Sequence, residues 1–493
     1  MTEATGQSKV ATASKAQSKM VQESEIVRTL VGGTPAMRAA GEKYLPKAEA
    51  ESQEAYKARL LRSVLFNATG KTVSDMTGKV FTKPIVLEKD VPAELVAFAE
   101  NIDLTGRHLN VFARDVFADT MQPGIGYIYV DMPPAVENAD GSAPTLAQEQ
   151  EAGLRPYLTY IPMERLIGWK SESIGGVETL TQIRIKECVS EPDGDFHEKE
   201  VDQVRVVSLV AEGLQWQTFR KSADPKAPDD WISHQGPKPI KGPKAIPLAP
   251  VYINRTEFMQ GAPPLAKIAE LNVAHWQSSS DQRNILHVAR VPILYMAGFQ
   301  ADDQVKIGVS EAVRSSNPDA KMEYVEHSGQ AIESGEKDLE RLEFQMQTMG
   351  LQLLIPQPGG KTATGEMRDD AKENSPLAMM ARALQDALEQ AFGFMAEFKG
   401  VNWKKKDGGG SIIVNTDFGV QAGASQDAQM LLDAVNAGQI DKETFWLEWK
   451  RRGILSDSFD PAKAKARIAE EAPELDSGAG KGMNLDGGPP PAK

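Results

Sequence analysis

Between Pro264 and Pro292 the chain reads PLAKIAELNVAHWQSSSDQRNILHVARVP, with no glycine and no internal proline. Nothing in the stretch breaks a helix, so it predicts one of roughly 25 residues, about 37 Å long at 1.5 Å per residue. Its apolar stripe is narrow, because Leu265, Ile268, Leu271 and Trp276 give way to Ser278, Ser279 and Ser280. A long helix this polar is expected to line an interface or a wet surface, not the core of its own subunit.

Downstream, residues 291–332 read as a short mixed insert with strand-like ends at 292–296 and 321–325. A second long helix is expected from Glu333, with a cleaner stripe in which Leu339, Leu342, Met346, Met349 and Leu353 step by three and four. It stops at Ile355-Pro-Gln-Pro-Gly-Gly360. Thr364 is placed to cap another helix, in which Pro376 predicts a kink near Ser375. Leu377, Met380, Leu384, Leu388, Phe392 and Met395 continue its apolar face. Gly408-Gly-Gly410 leads into a strand at 412–415. Three short helices are then expected, from a Ser425 cap to Gly438, from an Asp441 cap to Gly453, and from Asp460-Pro461 onward. The Gly-, Pro- and Asp-rich tail beyond about 472 reads as disordered.

Upstream, residues 1–24 hold almost no large apolar side chain and predict a mobile arm. One helix is expected over 53–68, with Tyr56, Leu60, Val64 and Ala68 in phase, and another over 108–121, ended by Pro123-Gly124. Gly126-Tyr-Ile-Tyr-Val130 reads as a strand. Further strands are expected at 157–169, 181–188, 203–210 and 214–219, separated by turn clusters such as Glu191-Pro-Asp-Gly194. The stretch 224–247 holds too many prolines for a regular element and reads as a loop. The fold class is α+β.

The chain has 493 residues, 69 acidic and 55 basic, for a formal charge of −14. Its length suits about three domains or one long multi-lobed subunit. The acidic balance argues against a protein that grips nucleic acid by neutralising phosphates, though not against one that lets DNA pass. The single cysteine, Cys188, can form no intramolecular disulfide; lying in an expected strand, it reads as a buried structural thiol in a reducing compartment. The polar N-terminus lacks a signal-peptide core, and no run approaches the roughly 18 apolar residues of a membrane span, so assembly in the cytoplasm is expected.

Motifs of catalysis are incomplete. Gly70-Lys71-Thr72 and Gly360-Lys361-Thr362 resemble the end of a phosphate-binding loop, but the positions that need the first glycine hold Leu65 and Ile355. The six histidines form no ligand pair of the HExxH kind. There is no GxSxG elbow, and Asp369-Asp370 suits a helix N-terminus better than an acid–base pair. Asn67-Ala-Thr69 matches a glycosylation acceptor that a cytoplasmic chain would leave unmodified. Lys404-Lys-Lys406 reads as a solvated loop. No catalytic residue, cofactor or metal site is expected, and the chain reads as a non-enzyme.

Several short strings stand out: Lys43-Tyr-Leu-Pro46, Tyr56-Lys-Ala-Arg-Leu60, Gly78-Lys-Val-Phe81-Thr-Lys-Pro84, Leu271-Asn-Val-Ala-His275-Trp-Gln-Ser-Ser279, Gly350-Leu-Gln-Leu-Leu354, Thr362-Ala-Thr364, and Phe445-Trp446 through Arg452-Gly453-Ile-Leu455. With the order of parts, they resemble the portal proteins of tailed bacteriophages. The likeness covers roughly 25–470, with Gly365 a departure where a helix former is expected. It implies an elongated subunit in a dodecameric ring at one capsid vertex of the virion. Its parts would be a disordered arm (1–24), an α+β wing (25–262), a first stem helix (263–290), a small mixed clip (291–333) and a second stem helix (334–354). A tunnel loop (355–363), a kinked helix with a returning wing strand (364–423), a helical crown (424–470) and a disordered tail (471–493) would follow. Double-stranded DNA would be packaged and later ejected through the channel. The implied partners are the terminase large subunit, a head-completion or adaptor protein, the major capsid protein and scaffold, with no membrane. On this resemblance Gln357, Gly359, Gly360 and Lys361 would face DNA, and Lys306, Arg314 and Lys321 would dock partners on the clip. Another non-enzymatic head or neck protein, and a packaging ATPase, are the alternatives.

Overall fold

The computed structural model describes residues 9–133, 154–222, 230–290, 293–299, 317–325, 330–353, 375–403 and 411–418, with isolated positions between 435 and 465. The chain divides into two compact units, 1–418 and 419–493.

The first unit opens with α1 (Lys15–Val31), α2 (Gly33–Ala40), α3 (Gln53–Arg62), α4 (Ala68–Val80), the short strand β1 (Val86–Leu87), α5 (Ala93–Phe98) and α6 (Leu109–Thr120). Strands follow: β2 (Ile125–Asp131), β3 (Tyr157–Ile161), β4 (Leu166–Ile174), β5 (Val177–Pro192), β6 (Glu198–Val210), β7 (Gly213–Lys221), β8 (Trp231–Pro239), β9 (Leu248–Tyr252), β10 (Arg255–Glu257) and β11 (Gln260–Gly261). Then come α7 (Ala266–Ala289), β12 (Ile293–Ala297), β13 (Lys321–Val325), α8 (Gln330–Gln352), α9 (Pro376–Lys399) and β14 (Ile412–Ile413). The architecture is α+β, as its sequence predicts.

At the centre lies the antiparallel sheet β3-β2-β9. Side chains alternate across a strand, and β2 sends its two sets into two cores. Ile128 and Val130 join the helical core with Leu109, Phe112, Val116, Leu384, Leu388 and Phe392. Ile125, Tyr127 and Tyr129 face the other way, onto Leu166, Ile183, Ile185, Val207 and Leu214 of the five-stranded antiparallel sheet β4-β5-β6-β7-β8. A strand buried on both faces needs apolar residues at every position, which is why Ile-Gly-Tyr-Ile-Tyr-Val reads as a continuous run. Each large side chain fully buried here contributes about 1.5–3 kcal/mol.

Gly124 sets the close approach beside this sheet. It sits at φ +84°, and its Cα faces the Ala262 backbone so closely that a Cβ would overlap the Ala262 carbonyl. The Gly124 carbonyl accepts from Asn254 N–H at 2.9 Å, joining the two segments. β14 is held by a buried carboxylate: Glu389 Oε1, on α9, accepts from the N–H groups of Ser411 (3.0 Å) and Ile412 (3.2 Å).

Several expectations are corrected. The N-terminal segment is not mobile over its whole length: Ser14 caps α1, and Gln17, Met20, Ser24, Val27 and Leu30 form its buried stripe. Two of those five are polar, which hides the period from a hydrophobicity reading. The helix expected over 53–68 is two helices. Ser63 ends α3 in an extended conformation, and the Asn67 side chain accepts from Gly70 N–H to cap α4. Gly70-Lys71-Thr72 therefore lies in the first turn of a helix with no strand before it. The strand expected over 157–169 is split by a 3₁₀ turn at Met163–Arg165.

The proline-rich stretch contains β8, which β7 borders on one side only. An edge strand tolerates Pro237 and Pro239 because its outward N–H positions have no partner to satisfy. Cys188 is exposed rather than buried. Pro376 does not kink a helix but starts one: Ser375 is extended at ψ 150°, its hydroxyl accepts from Ala378 N–H, and Pro376 occupies the first turn. Thr364 and Asp369-Asp370 fall outside the described residues.

In the second unit, Asp441 and Asp460 act as the expected caps. Asp441 Oδ1 accepts from the N–H groups of Glu443 (2.8 Å) and Thr444 (2.9 Å). Asp460 accepts from Lys463 N–H at 3.4 Å. The rings of Trp446 and Phe459 meet edge to face, 6.0 Å apart. Ser425 is outside the described residues.

Candidate functional site

The two long helices α7 and α8 run antiparallel and are joined by polar rungs. His275 Nε2 lies 3.1 Å from Glu343 Oε1, Ser278 Oγ donates to Asp338 at 2.9 Å, and Gln282 Nε2 donates to the Ile332 carbonyl at 2.8 Å. Steps of three and four along α7 match descending positions on α8. Gly335 makes the last rung possible, since a Cβ there would run into the Gln282 carboxamide. Between the two helices in sequence comes the two-stranded antiparallel ladder β12–β13, from Ile293 opposite Val325 to Ala297 opposite Lys321.

The first two-thirds of α7 are rooted in the body, and polar groups do much of the rooting. Trp276 is fully buried, as are Leu265 and Ala269. Asn272, also fully buried, accepts at Oδ1 from the Thr69 N–H and hydroxyl, both at 3.0 Å, and donates from Nδ2 to the Phe66 carbonyl at 2.7 Å. Gln277 donates to the Tyr44 carbonyl at 3.0 Å. Ser280 accepts from the Ser63 hydroxyl at 2.8 Å. This overturns the expectation that so polar a helix lies outside its subunit's core: a buried polar group costs little once its hydrogen bonds are made.

Arg59 is the hub of this junction. Its guanidinium donates to both carboxylate oxygens of Glu51, each at 2.8 Å, to the Pro46 carbonyl at 2.9 Å, and to Ser280 Oγ at 3.4 Å. The hydrogen bond from Arg59 holds the Glu51 carboxyl below the usual range, against an opposing push from burial. The bond to Glu51 likewise raises the Arg59 guanidinium. An open polar cavity of about 450 Å³, lined by Pro46, Lys47, Glu51, Arg59, Gln277 and Asn284 among others, lies over the pair. Lys43-Tyr-Leu-Pro46 and Tyr56 through Leu60 meet Leu271 through Ser279, more than 200 positions away in sequence, here.

The α8 stripe forms as predicted. Leu342 and Met346 are buried, and Met349 and Leu353 pack against the helical core. Its opposite face carries exposed Glu333, Glu336 and Glu340 beside Lys337 and Arg341. Lys337 pairs with Glu333 at 2.7 Å and Arg341 with Asp338 at 3.1 Å.

Of the residues singled out for docking, Lys321 is exposed at the start of β13. Lys306, Arg314, Gln357, Gly359, Gly360 and Lys361 lie outside the described residues. Sequence reading missed Asn272, Ser279, Ser280 and Gln282 as buried positions. They fall, at helical spacing, on the face that Ile268 and Trp276 begin, but their polarity hides the period. Among the described residues no cluster of acidic, histidine or cysteine side chains could hold a metal ion, and no helix is long and apolar enough to cross a membrane.

Residues 264–399 match a family model described as a domain of unknown function, DUF4055. No curated protein matches the chain. Among solved structures, the chain is similar to a chain in the virion of a native gene transfer agent (GTA) particle, at 12% identity and a TM-score of 0.37, over 78% of this chain and 88% of that one. A chain in the neck of the native GTA particle computed with C12 symmetry gives 10% identity and a TM-score of 0.36, over 77% and 88%. A chain in the neck of the empty particle computed with C6 symmetry gives 12% and 0.37, over 76% and 88%.

Proposed function

We propose that the chain is a non-enzymatic portal-type subunit of a virion, one of a ring whose central channel passes double-stranded DNA. The observation that carries this reading is the antiparallel pair α7 and α8, flanking the small β12–β13 ladder and rooted by the very strings that resemble portal proteins. In this reading 25–262 is the wing, α7 and α8 the stem, 291–333 the clip that docks the terminase large subunit and later an adaptor protein, 355–363 the tunnel loop, and 424–470 the crown. Capsid protein and scaffold would meet its outer side. A net charge of −14 suits a conduit, because an acidic wall leaves few attractive phosphate contacts to break as DNA slides.

Native mass spectrometry and electron microscopy of the purified chain test the reading. Rings with a narrow stem are expected, and a twelvefold ring is the expected count. A chain that stays monomeric under all conditions, assembled capsids included, overturns it. Deletion of 357–361 is expected to leave rings intact and impair DNA packaging or retention; normal packaging would reduce that loop to a connector.

A further inference from the structure

β5 and β6 outrun their neighbours. β4 borders β5 only as far as Ile185, and β7 borders β6 only from Gln203 onward, yet β5 and β6 remain paired out to Pro192 opposite Glu198. From Cys188 and Asp202 outward the two strands form a ribbon that no strand flanks among the described residues, extending on the order of 15 Å at 3.3 Å per residue. At its tip Phe196 is 94% exposed, between Asp195 and His197, with Asp193 and Glu198 close by in the turn. A two-stranded ribbon is marginal on its own, and the Phe196 ring at its end has no cover within the subunit.

Elsewhere on the same unit, where α4 ends and α6 passes, Phe81, Thr82, Lys83, Pro84, Asn110, Val111 and Arg114 line an open cavity of about 310 Å³. Roughly 150 Å³ suffices for benzene, so a phenyl ring fits. Phe81 is backed edge to face by Phe117 at 6.1 Å, Val111 is 42% exposed, and the two charged side chains of the lining, Lys83 and Arg114, are both cationic. The tip carries one apolar ring with an acidic collar; the cavity sets Phe81, Pro84 and Val111 beside Thr82 and Asn110, with a rim of Lys83 and of Arg114, which also meets Asp115 at 3.4 Å.

We propose that the Phe196 tip of one copy enters the Phe81–Val111 cavity of the next copy, with Asp193 and Asp195 facing Lys83 and Arg114. Tip and cavity are different surfaces, so the contact is head-to-tail, the kind that closes into a ring. The proposal rests on the ring reading above and names one contact that holds the ring.

The test uses full-length chains in a Cys188→Ser background, one carrying Phe196→Cys and the other Val111→Cys, mixed and oxidised with diamide. Both substituted positions are exposed. A band of twice the chain mass on a non-reducing gel, absent from either chain alone and removed by dithiothreitol, is expected together with rings by electron microscopy. Rings without the band overturn the tip contact, leave the ring reading standing and free Phe196 for another protein. The band without rings keeps the contact and overturns the ring. Monomers alone, with no band, in these variants and in the unsubstituted chain overturn both. As a second measurement, Lys83→Glu with Arg114→Glu is expected to weaken assembly at least tenfold and Asp193→Lys with Asp195→Lys on the partner copies to restore it; absence of rescue also counts against the contact.

Discussion

Asn272 and Thr69, 203 positions apart, are joined by two hydrogen bonds of 3.0 Å into one oxygen, from the Thr69 backbone N–H and from its hydroxyl. Both residues are fully buried. The pair fastens the long helix α7 to the first turn of α4, where α4 has N–H groups that no residue of its own helix can satisfy.

Replacing Asn272 by leucine keeps the branched shape and removes every hydrogen-bonding atom. The Thr69 N–H and hydroxyl are then buried without their acceptor, while the Phe66 carbonyl keeps its bond from the Ala68 N–H at 2.9 Å. Since one such group costs about 1–3 kcal/mol, the variant is expected to lose about 2 kcal/mol or more. Urea unfolding checks it: the midpoint should fall with little change in slope. Thr69→Val should lose less, because the backbone N–H bond survives.

Glu51 makes the same junction sensitive to acid. Its carboxyl lies lower in the folded chain than in the unfolded one, chiefly through the Arg59 hydrogen bond. A depressed carboxylate contributes stability that is full above its ordinary value of 4.5 and is lost as the pH falls through the folded value. Glu51→Gln is therefore expected to be less stable than the parent at pH 7 and to show a flatter decline below 4.5, measured as melting temperature against pH. Arg59→Met leaves the Glu51 carboxylate with the Ala48 N–H bond alone, beside an open cavity, and should cost about 1–3 kcal/mol at pH 7.

These residues also show what the sequence made legible. Leu339 through Leu353 could be read because an apolar face at helical spacing has one physical explanation. The caps Asp441 and Asp460 could be read because short side-chain acceptors beside a helix start leave few other uses. Asn272, Ser280 and Gln282 could not, because their burial depends on donors and acceptors supplied by Thr69, Ser63 and Ile332, and a polarity scale counts a polar side chain as wet whether or not a partner waits for it. β8 was hidden for the opposite reason: its prolines argue against a strand in general, and only its place at the sheet edge makes them harmless. The cavity beside Phe81 joins two helix ends and a loop, a juxtaposition that no local pattern encodes.

Gly124→Ala is expected to be among the most damaging single-methyl changes in the chain. The residue holds φ +84°, which costs an alanine about 1–2 kcal/mol, and the new methyl meets the Ala262 backbone, which cannot turn aside as a side chain could. The sum predicts more than 2 kcal/mol. Gly194, in the tip of the ribbon at φ +79°, has nothing within reach of a Cβ and serves as the control. Gly194→Ala should show only the conformational part. Denaturant titration of the two variants side by side separates strain from collision.

Arg184 holds the start of the chain to the five-stranded sheet. Its Nη1 donates to the carbonyls of Lys9 (3.3 Å), Val10 (2.7 Å) and Thr12 (2.7 Å), while Val10, Ala11 and Ala13 pack over Ile167, Val204, Val206, Phe219 and Trp231. Gly168 leaves the slot in which the guanidinium lies, since a Cβ there would collide with it. Three small apolar side chains bury too little to hold an extended segment against its conformational entropy, which is about 1–2 kcal/mol per residue for the backbone alone. The guanidinium supplies the difference. Arg184→Ala is therefore expected to free residues 9–13 while α1 stays docked through Met20, Val27 and Leu30. Trypsin should then cut after Lys9 at least several-fold faster, and hydrogen exchange should speed up in that segment but not across α1. Unchanged cleavage would mean that the apolar contacts alone suffice, and faster exchange throughout α1 would mean that Arg184 anchors the whole helix.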